Sequence, residues 1–219
     1  MLDYLIVIPA RMRSSRFPGK PLAKINGKEL ILHVCDRCNK VFDKRKIIVA
    51  TDSLKILNFV KKNKYKSILT STKCLTGTDR VAEVSNKINA KIYVNVQGDE
   101  PLVNPKDIKK IILTKKKFKN YIICGATKIS NNENPKSLSI PKVVFNKNLF
   151  MVYMSRSVIP AKKIKKQSKK LQYWKQVCVY AFTKQDLKIF GKNKKKGYLE
   201  KNEDIEILRF LDKEKKIKM

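Results

Sequence analysis

The sequence predicts an α/β fold: a mostly parallel sheet flanked by helices, with a smaller mixed, β-rich lobe. Three observations lead there. Apolar runs of strand length alternate with stretches of helical periodicity through residues 1–120. The helical stretches have the length of a crossover between parallel neighbours, about 10–15 residues. From residue 121 onward the pattern changes to strands joined by longer loops, which suits mixed or antiparallel pairing.

Each element follows in order. "YLIVIPA" (4–10) is the first strand. "NGKELILHVCDRCNKVF" (26–42) has a turn signal at Asn26-Gly27 and then apolar residues at helical spacing. "RKIIVATD" (45–52) is the second strand and "SLKILNFVKKN" (53–63) a helix. "KSILT" (66–70) is a short strand, "GTDRVAEVSNKI" (77–88) a helix and "AKIYVNVQ" (90–97) the next strand. "NPKDIKKIILTKKKF" (104–118) opens a helix with Asn104 as N-cap and Pro105 at its first position. In the second half "YIICGATKI", "PKVVFN", "FMVYMSRSVI" and "YWKQVCVYAFT" read as strands, and "KQDLKIF" and "EDIEILRFLD" as helices. No linker and no internal repeat divides the chain, so one fold with an inserted or appended lobe is expected.

The composition narrows the class. The chain has 219 residues and a formal net charge of +33. Such charge suits nucleic-acid binding or a lysine-biased composition. The runs "KKIKKQSKK" (162–170) and "KNKKKG" (192–197) lack interleaved aromatics and read as solvated loops, which favours the second. A positive field would still draw in nucleotides and sugar acids. No apolar run approaches the ~20 residues of a membrane helix, and the N-terminus shows no signal-peptide pattern. Five scattered cysteines fit reduced thiols, so a cytoplasmic protein is expected.

Ligands of such sheets sit at the carboxyl ends of the strands. There the first strand breaks into "RMRSSRFPGK", which holds Arg11, Arg13, Arg16 and Lys20. The loop is not a P-loop: Ser14 and Pro21 stand where that motif needs Gly and Ser/Thr. Arg forks and a lysine on a loop suit a polyphosphate. "VNVQGDEP" ends a strand in Gln97, Gly98, Asp99 and Glu100, where carboxylates are placed for a hard cation such as Mg²⁺. "TGTDR" (76–80) enters a helix whose free N–H groups and Arg80 could hold a base or phosphate; a plain capped start is the alternative. Cys35 and Cys38 form a C-x-x-C with no second pair at zinc spacing, so they read as buried helix face, and His33 as core or helix surface.

Together these stretches resemble the 3-deoxy-manno-octulosonate (Kdo) cytidylyltransferase family. The likeness rests on "IPARMRSSRFPGKPLAKINGKEL", "IIVATD", "TGTDRVAEV" and "VNVQGDEPLV", and continues in "PKVV", "YMSRSVIP", "KQVCVYAF" and "LEKNEDIEILRFL". It implies a Rossmann-like sheet of the nucleotide-diphospho-sugar transferase type. Residues 1–120 would form the nucleotide half and 121–219 the sugar half. The implied reaction is CTP plus Kdo giving CMP-Kdo and pyrophosphate with Mg²⁺, serving lipopolysaccharide biosynthesis. The resemblance assigns Pro9, Ala10, Arg11, Arg16, Lys20, Gly77, Thr78 and Arg80 to the nucleotide. It assigns Gln97, Lys142, Arg156, Gln176, Tyr180 and Glu200 to the sugar acid. Arg11, Lys20 and Asp99 would be catalytic, with Asp99 the Mg²⁺ ligand. A homodimer is implied, with neither nucleic acid nor membrane as partner.

The chain departs from that pattern in places. The family's "H-x-G-x-Y" is here Gln176-Val177-Cys178-Val179-Tyr180. An 8-amino analogue of Kdo is therefore a second candidate sugar, with sialic-type acids behind it. Asn202 replaces an apolar residue of "L-E-x-I-E", and the usual Pro before Leu199 is missing. The family continues past "KIKM" to an Asp that is a second metal ligand, so the C-terminus reads as truncated and an inactive copy is a further alternative. The non-enzyme alternative is a basic nucleic-acid-binding protein.

Overall fold

The layout grows outward from one strand. In the computed structural model, which describes residues 1–13, 17–161, 171–192 and 195–219, β1 (Leu2–Ala10) is buried from Leu5 to Ala10. A continuous apolar run covered on both faces belongs at the centre of a parallel sheet. A hairpin of β2 (Lys24–Ile25) and β3 (Lys28–Glu29) follows and leads into α1 (Leu30–Asn39). Then come β4 (Ile47–Thr51), α2 (Leu54–Lys62), β5 (Lys66–Leu69), α3 (Gly77–Lys87), β6 (Ala90–Val96) and α4 (Pro105–Lys117). The second half holds β7 (Ile122–Lys128), β8 (Lys142–Phe145), β9 (Met151–Ser155), β10 (Trp174–Phe182), α5 (Lys184–Gly191), α6 (Tyr198–Glu203), a 3-10 helix (Glu206–Lys213) and β11 (Ile217–Lys218).

The main sheet runs β5-β4-β1-β6-β10-β7-β11. β1 pairs in parallel with β4 and β6, and β4 with β5. Only β10 runs antiparallel to both its neighbours on this path. β10 therefore inserts a strand of the second half between β6 and β7, and the two halves share one sheet. β8 and β9 form the β-rich lobe, joined to the sheet where β8 touches β10.

Alternation along β1 divides the core into two layers. Ile6 and Ile8 face Ile31, Val34, Ile56 and Ile108 of α1, α2 and α4. Leu5 and Val7 face Val81 and Val84 of α3, together with Phe182, Phe190 and Phe210. Each such side chain contributes about 1.5–3 kcal/mol when fully buried. Cys35 and Cys38 lie in the first layer, fully buried. His33 bonds the Ile25 carbonyl from the helix surface.

Three elements differ from the sequence expectation. Asn26 and Gly27, at φ 49° and 77°, form the tip of the β2–β3 hairpin, which periodicity alone did not show. "EDIEILRFLD" is not one helix: Asp204 at φ 49° stops α6, and a 3-10 helix starts at Glu206. The short strand β11 was not anticipated. Asn104 caps α4 through the Lys106 N–H with Pro105 at its start, as expected. The basic run 162–170, residues 193–194 of the other run, and Arg16 lie outside the described residues.

Two strands leave β1 on one side, and the next joins on the other. The crevice between β1 and β6 is thus the switch point of the sheet, the place where ligands of such folds bind.

Candidate active site

The two strand ends at the switch point touch closely. A Cβ on Gly98 would lie 2.5 Å from the Pro9 carbonyl oxygen, so only glycine lets the turn after β6 reach the end of β1. A Cβ on Gly77 would meet the Gln97 amide and Pro9 Cγ, each at 3.0 Å. Pro9, Ala10, Gly77 and Gln97, all expected at the site, are therefore gathered at one place.

The loop after β1 folds over this crevice. The Met12 N–H donates to Asp52 Oδ1 at 3.3 Å, and the Gly19 N–H donates to the Met12 carbonyl at 2.9 Å. Those bonds bring Lys20 Nζ to Asp99 Oδ2 at 2.6 Å. Both side chains stay open to solvent, at 39% and 49% exposure, so the pair can be parted by a ligand. Arg11 and Arg13 are also exposed. A loop cation and a strand-end carboxylate thus meet at the mouth of the switch point.

Thr78 sits deeper. Its N–H donates to Glu206 Oε2 at 3.0 Å, and its hydroxyl accepts from Asn95 Nδ2 at 3.1 Å. Glu206 also accepts from Gln97 Nε2 at 2.5 Å. Burial pushes the Glu206 carboxyl up, and the Thr78 N–H pulls it back. On β10, Gln176 Nε2 donates to the Tyr180 hydroxyl at 2.7 Å. Burial raises the Tyr180 phenol well above its ordinary range. Burial likewise pushes the Cys178 thiol to about 12, so it is no thiolate nucleophile. Burial raises the Glu100 carboxyl; Asp99 adds to this, while Lys20 and Lys175 oppose it. β10 pairs Val179 with Val96 and Tyr180 with Asn95, so this part of β10 runs beside the end of β6.

Four expected ligand contacts are corrected. Arg80 is 2% exposed; its guanidinium donates to Asp52 Oδ2 at 2.7 Å, to Thr70 Oγ1 at 2.8 Å and to the Ser71 carbonyl at 3.2 Å. It positions Asp52, which in turn holds the loop at Met12, and its burial keeps it from a nucleotide in the crevice. Lys142 is fully buried and donates to the carbonyls of Ser137 and Arg156. Arg156 spends its fork on the carbonyls of Glu203, Leu138 and Asp204 at 2.8–3.0 Å. Glu200, 1% exposed, is paired with Arg209. Arg80, Lys142 and Glu200 are buried in the wall, and Arg156 is part-exposed with its fork held by backbone carbonyls.

Sequence reasoning missed Asp52, Glu206 and Arg209. Asp52 follows the second strand directly, and the strand-end argument used for Asp99 applies to it equally. Glu206 gave no signal, because its segment reads as an ordinary amphipathic helix.

The donor set bears on the expected Mg²⁺. Asp99 is an exposed hard-oxygen donor at a strand end. Among the described residues no group of three or more His, Cys, Asp or Glu is gathered that could hold a metal ion. A single exposed carboxylate has the chemistry of an Mg²⁺ site that takes one carboxylate together with substrate phosphates and water.

Comparison with known proteins places the chain in a family. The cytidylyltransferase family profile matches residues 5–217. A 3-deoxy-manno-octulosonate cytidylyltransferase of Thermodesulfovibrio yellowstonii is 38% identical over 228 residues, covering 98% of this chain and 88% of the relative. An 8-amino-3,8-dideoxy-manno-octulosonate cytidylyltransferase of Shewanella baltica is 34% identical over 224 residues, covering 100% and 89%. The solved structure of CMP:2-keto-3-deoxy-manno-octonic acid synthetase complexed with CTP superposes with a TM-score of 0.88 at 34% identity, covering 99% of this chain and 88% of that one. The inositol-1-phosphate CTP transferase of T. maritima, at 16% identity and a TM-score of 0.61, shares the fold alone.

Proposed function

The chain belongs to the cytidylyltransferase family, and on that premise we propose how its crevice performs the transfer of a cytidylyl group to a sugar acid. It is a nucleotidyltransferase, a 3-deoxy-manno-octulosonate cytidylyltransferase: CTP and Kdo give CMP-Kdo and pyrophosphate. An oxygen of the sugar's anomeric hydroxyl forms a bond to the α-phosphorus. The bond from that phosphorus to the bridging oxygen breaks, pyrophosphate leaves, and the hydroxyl proton passes to solvent. No protein nucleophile is required, so catalysis is positioning and charge stabilisation.

The observation that supports this most is the Lys20–Asp99 meeting at the switch point. Lys20, with Arg11 and Arg16, neutralises the triphosphate and the departing pyrophosphate. Asp99 would hold Mg²⁺, which when bound adds positive charge against the phosphates. The turn at Gly77 takes the nucleotide side, and the buried Thr78, its N–H on Glu206 and its hydroxyl on Asn95, supports that turn from beneath. Gln97 and Gln176 present amide groups to the sugar acid; the Tyr180 phenol, 2% exposed, holds the Gln176 amide from behind and does not reach the sugar itself. A place in lipopolysaccharide biosynthesis, a cytoplasmic location and a homodimeric state belong to the same reading. No helix among the described residues is long and apolar enough to cross a membrane.

A second reading concerns the sugar. Gln176 can donate and accept, whereas a histidine there could carry charge, and relatives acting on the 8-amino sugar are nearly as similar as those acting on Kdo. Pyrophosphate release with CTP, Mg²⁺ and a panel of Kdo, its 8-amino analogue and a sialic acid tests both. Turnover with Kdo at least tenfold above the others is expected; none with any sugar acid would remove the assignment.

A further inference from the structure

The segment Glu206–Lys213 is a 3-10 helix of eight residues, longer than such helices usually run. In a 3-10 helix residues three apart are eclipsed, whereas in an α-helix they stand about 60° apart around the axis. Glu206 and Arg209 are three apart, and both reach the amino end of α3. Glu206 accepts the Thr78 N–H at 3.0 Å. Arg209 donates to both oxygens of Asp79, at 2.7 and 3.2 Å. Asp79 is itself half of the capping box that fixes Thr76, the residue before Gly77. The helix end is thus held from one line of side chains, by a carboxylate on its free N–H and a guanidinium on its capping carboxylate.

The same two residues reach the other half of the site. Glu206 holds the Gln97 amide. Arg209 also donates to both oxygens of Glu200 on α6, at 2.6 and 2.8 Å, and its guanidinium lies 3.8 Å from the centre of the Phe190 ring. Arg209 is 1% exposed, so its own bonds are shielded from water.

We propose that Arg209 is a positioning residue that, with Glu206, couples the nucleotide and sugar sides of the crevice, so that each substrate tightens the other. Ordering the Gly77–Thr78 turn around a nucleotide fixes Glu206 and hence the Gln97 amide. Ordering Gln97 around the sugar acid fixes the turn in return, because coupling between sites is reciprocal. Arg209 transmits this by holding the 3-10 helix, α6 and the α3 cap as one body.

The inference rests on the cytidylyltransferase reading, and the test separates the two. The dissociation constant of α,β-methylene-CTP, which cannot be cleaved at the α-phosphate, is measured with Mg²⁺ in the absence and presence of saturating Kdo. In the wild type Kdo should tighten the analogue by about tenfold. In Arg209→Lys, which loses the planar fork, and in Glu200→Gln, which loses the charge but keeps the shape, the tightening should fall below about twofold. Circular dichroism identifies the folded variants, and Glu200→Gln decides the matter if Arg209→Lys does not fold. A merely structural Arg209 would lower the melting temperature and leave the tightening whole, which would overturn the proposal. Independent binding of the two ligands to the wild type would also overturn it. Failure of the wild type to bind the analogue at all, with no pyrophosphate release from CTP, would remove the functional reading itself.

Discussion

The mouth of the crevice and the wall behind it are built from the same residue types and used in opposite ways. At the mouth, Lys20 and Asp99 form an ion pair that is about half exposed. In the wall, Arg209 with Asp79 and Glu200 forms one almost without exposure. An exposed pair contributes little to stability and separates at little cost. A buried one is costly to break, because the partner left behind keeps its charge out of water. Ionisable residues that face a ligand should therefore be the weakly held ones, and those that shape the site the tightly held ones. Three of the four corrected residues, the buried Arg80, Lys142 and Glu200, obey this rule. Arg80, Lys142 and Arg156 have the cations to bind a phosphate or carboxylate and Glu200 the oxygens to accept from sugar hydroxyls, and all are spent on protein partners.

The strongest break of the comparison is in the wall. Arg209→Ala removes one cation from two buried carboxylates and should cost about 3–5 kcal/mol of stability, a drop of roughly 10 °C in Tm for a domain of this size, measured by calorimetry. A loss below about 1 kcal/mol would show that the wall pair is no tighter than a surface one. At the mouth the effect should fall on rate and not on stability. Asp99→Asn keeps the shape, loses the charge, and should lower kcat by about 100-fold or more with Tm unchanged or slightly raised. Wild-type turnover at limiting Mg²⁺ would show that Asp99 holds no metal.

How much of this was legible before the coordinates follows the same division. The parallel half could be read because each strand is a continuous apolar run and each crossover helix has its period and cap, as at Asn104-Pro105. The mouth was legible because a strand-end position is a sequence position: Lys20 and Asp99 each follow a strand. The wall was not. Whether an Arg faces a crevice or a carbonyl depends on what packs over it from far along the chain, and Arg156 meets Glu203 and Asp204 nearly fifty residues later. Nor could the pattern of "EDIEILRFLD" tell an α-helix from a 3-10 helix, because both place apolar residues three apart. The break is made by the backbone of Asp204, which sits at φ 49°.

A subtler break sits where mouth and wall join. Gly77 is not held in the left-handed region, so alanine fits its backbone, and helix residues gain up to about 1 kcal/mol from such a change. The new Cβ would stand 3.0 Å from the Gln97 Oε1 and from Pro9 Cγ. Gln97 cannot yield freely, because Glu206 holds its amide at 2.5 Å. Gly77→Ala should therefore leave Tm equal or higher while kcat/KM for the sugar acid falls by about tenfold, the scale expected when a positioning group shifts by a fraction of an ångström. A parallel loss of stability and activity would mean the glycine serves the fold alone.

The smallest effect should come from Glu100, which is less exposed than its neighbour Asp99 and less buried than Arg209. Burial, followed by the charge of Asp99, raises its carboxyl above the ordinary glutamate value of 4.5, with Lys20, Lys175 and the Cys178 thiol pulling the other way. The folded protein then holds this proton more tightly than the unfolded chain does. Stability from this group is whole below the unfolded value, and it is lost as pH rises through the folded one. Glu100→Gln mimics the protonated form at every pH. Wild type and variant should therefore match in Tm at acid pH, and the variant should become the more stable one as pH rises above 4.5. Pairs of melts across that range measure the difference directly. A variant that loses stability as pH rises would show that Glu100 is wanted as a carboxylate. It would then belong with Asp99 at the mouth, as a second negative group facing the ligand, and not with the wall.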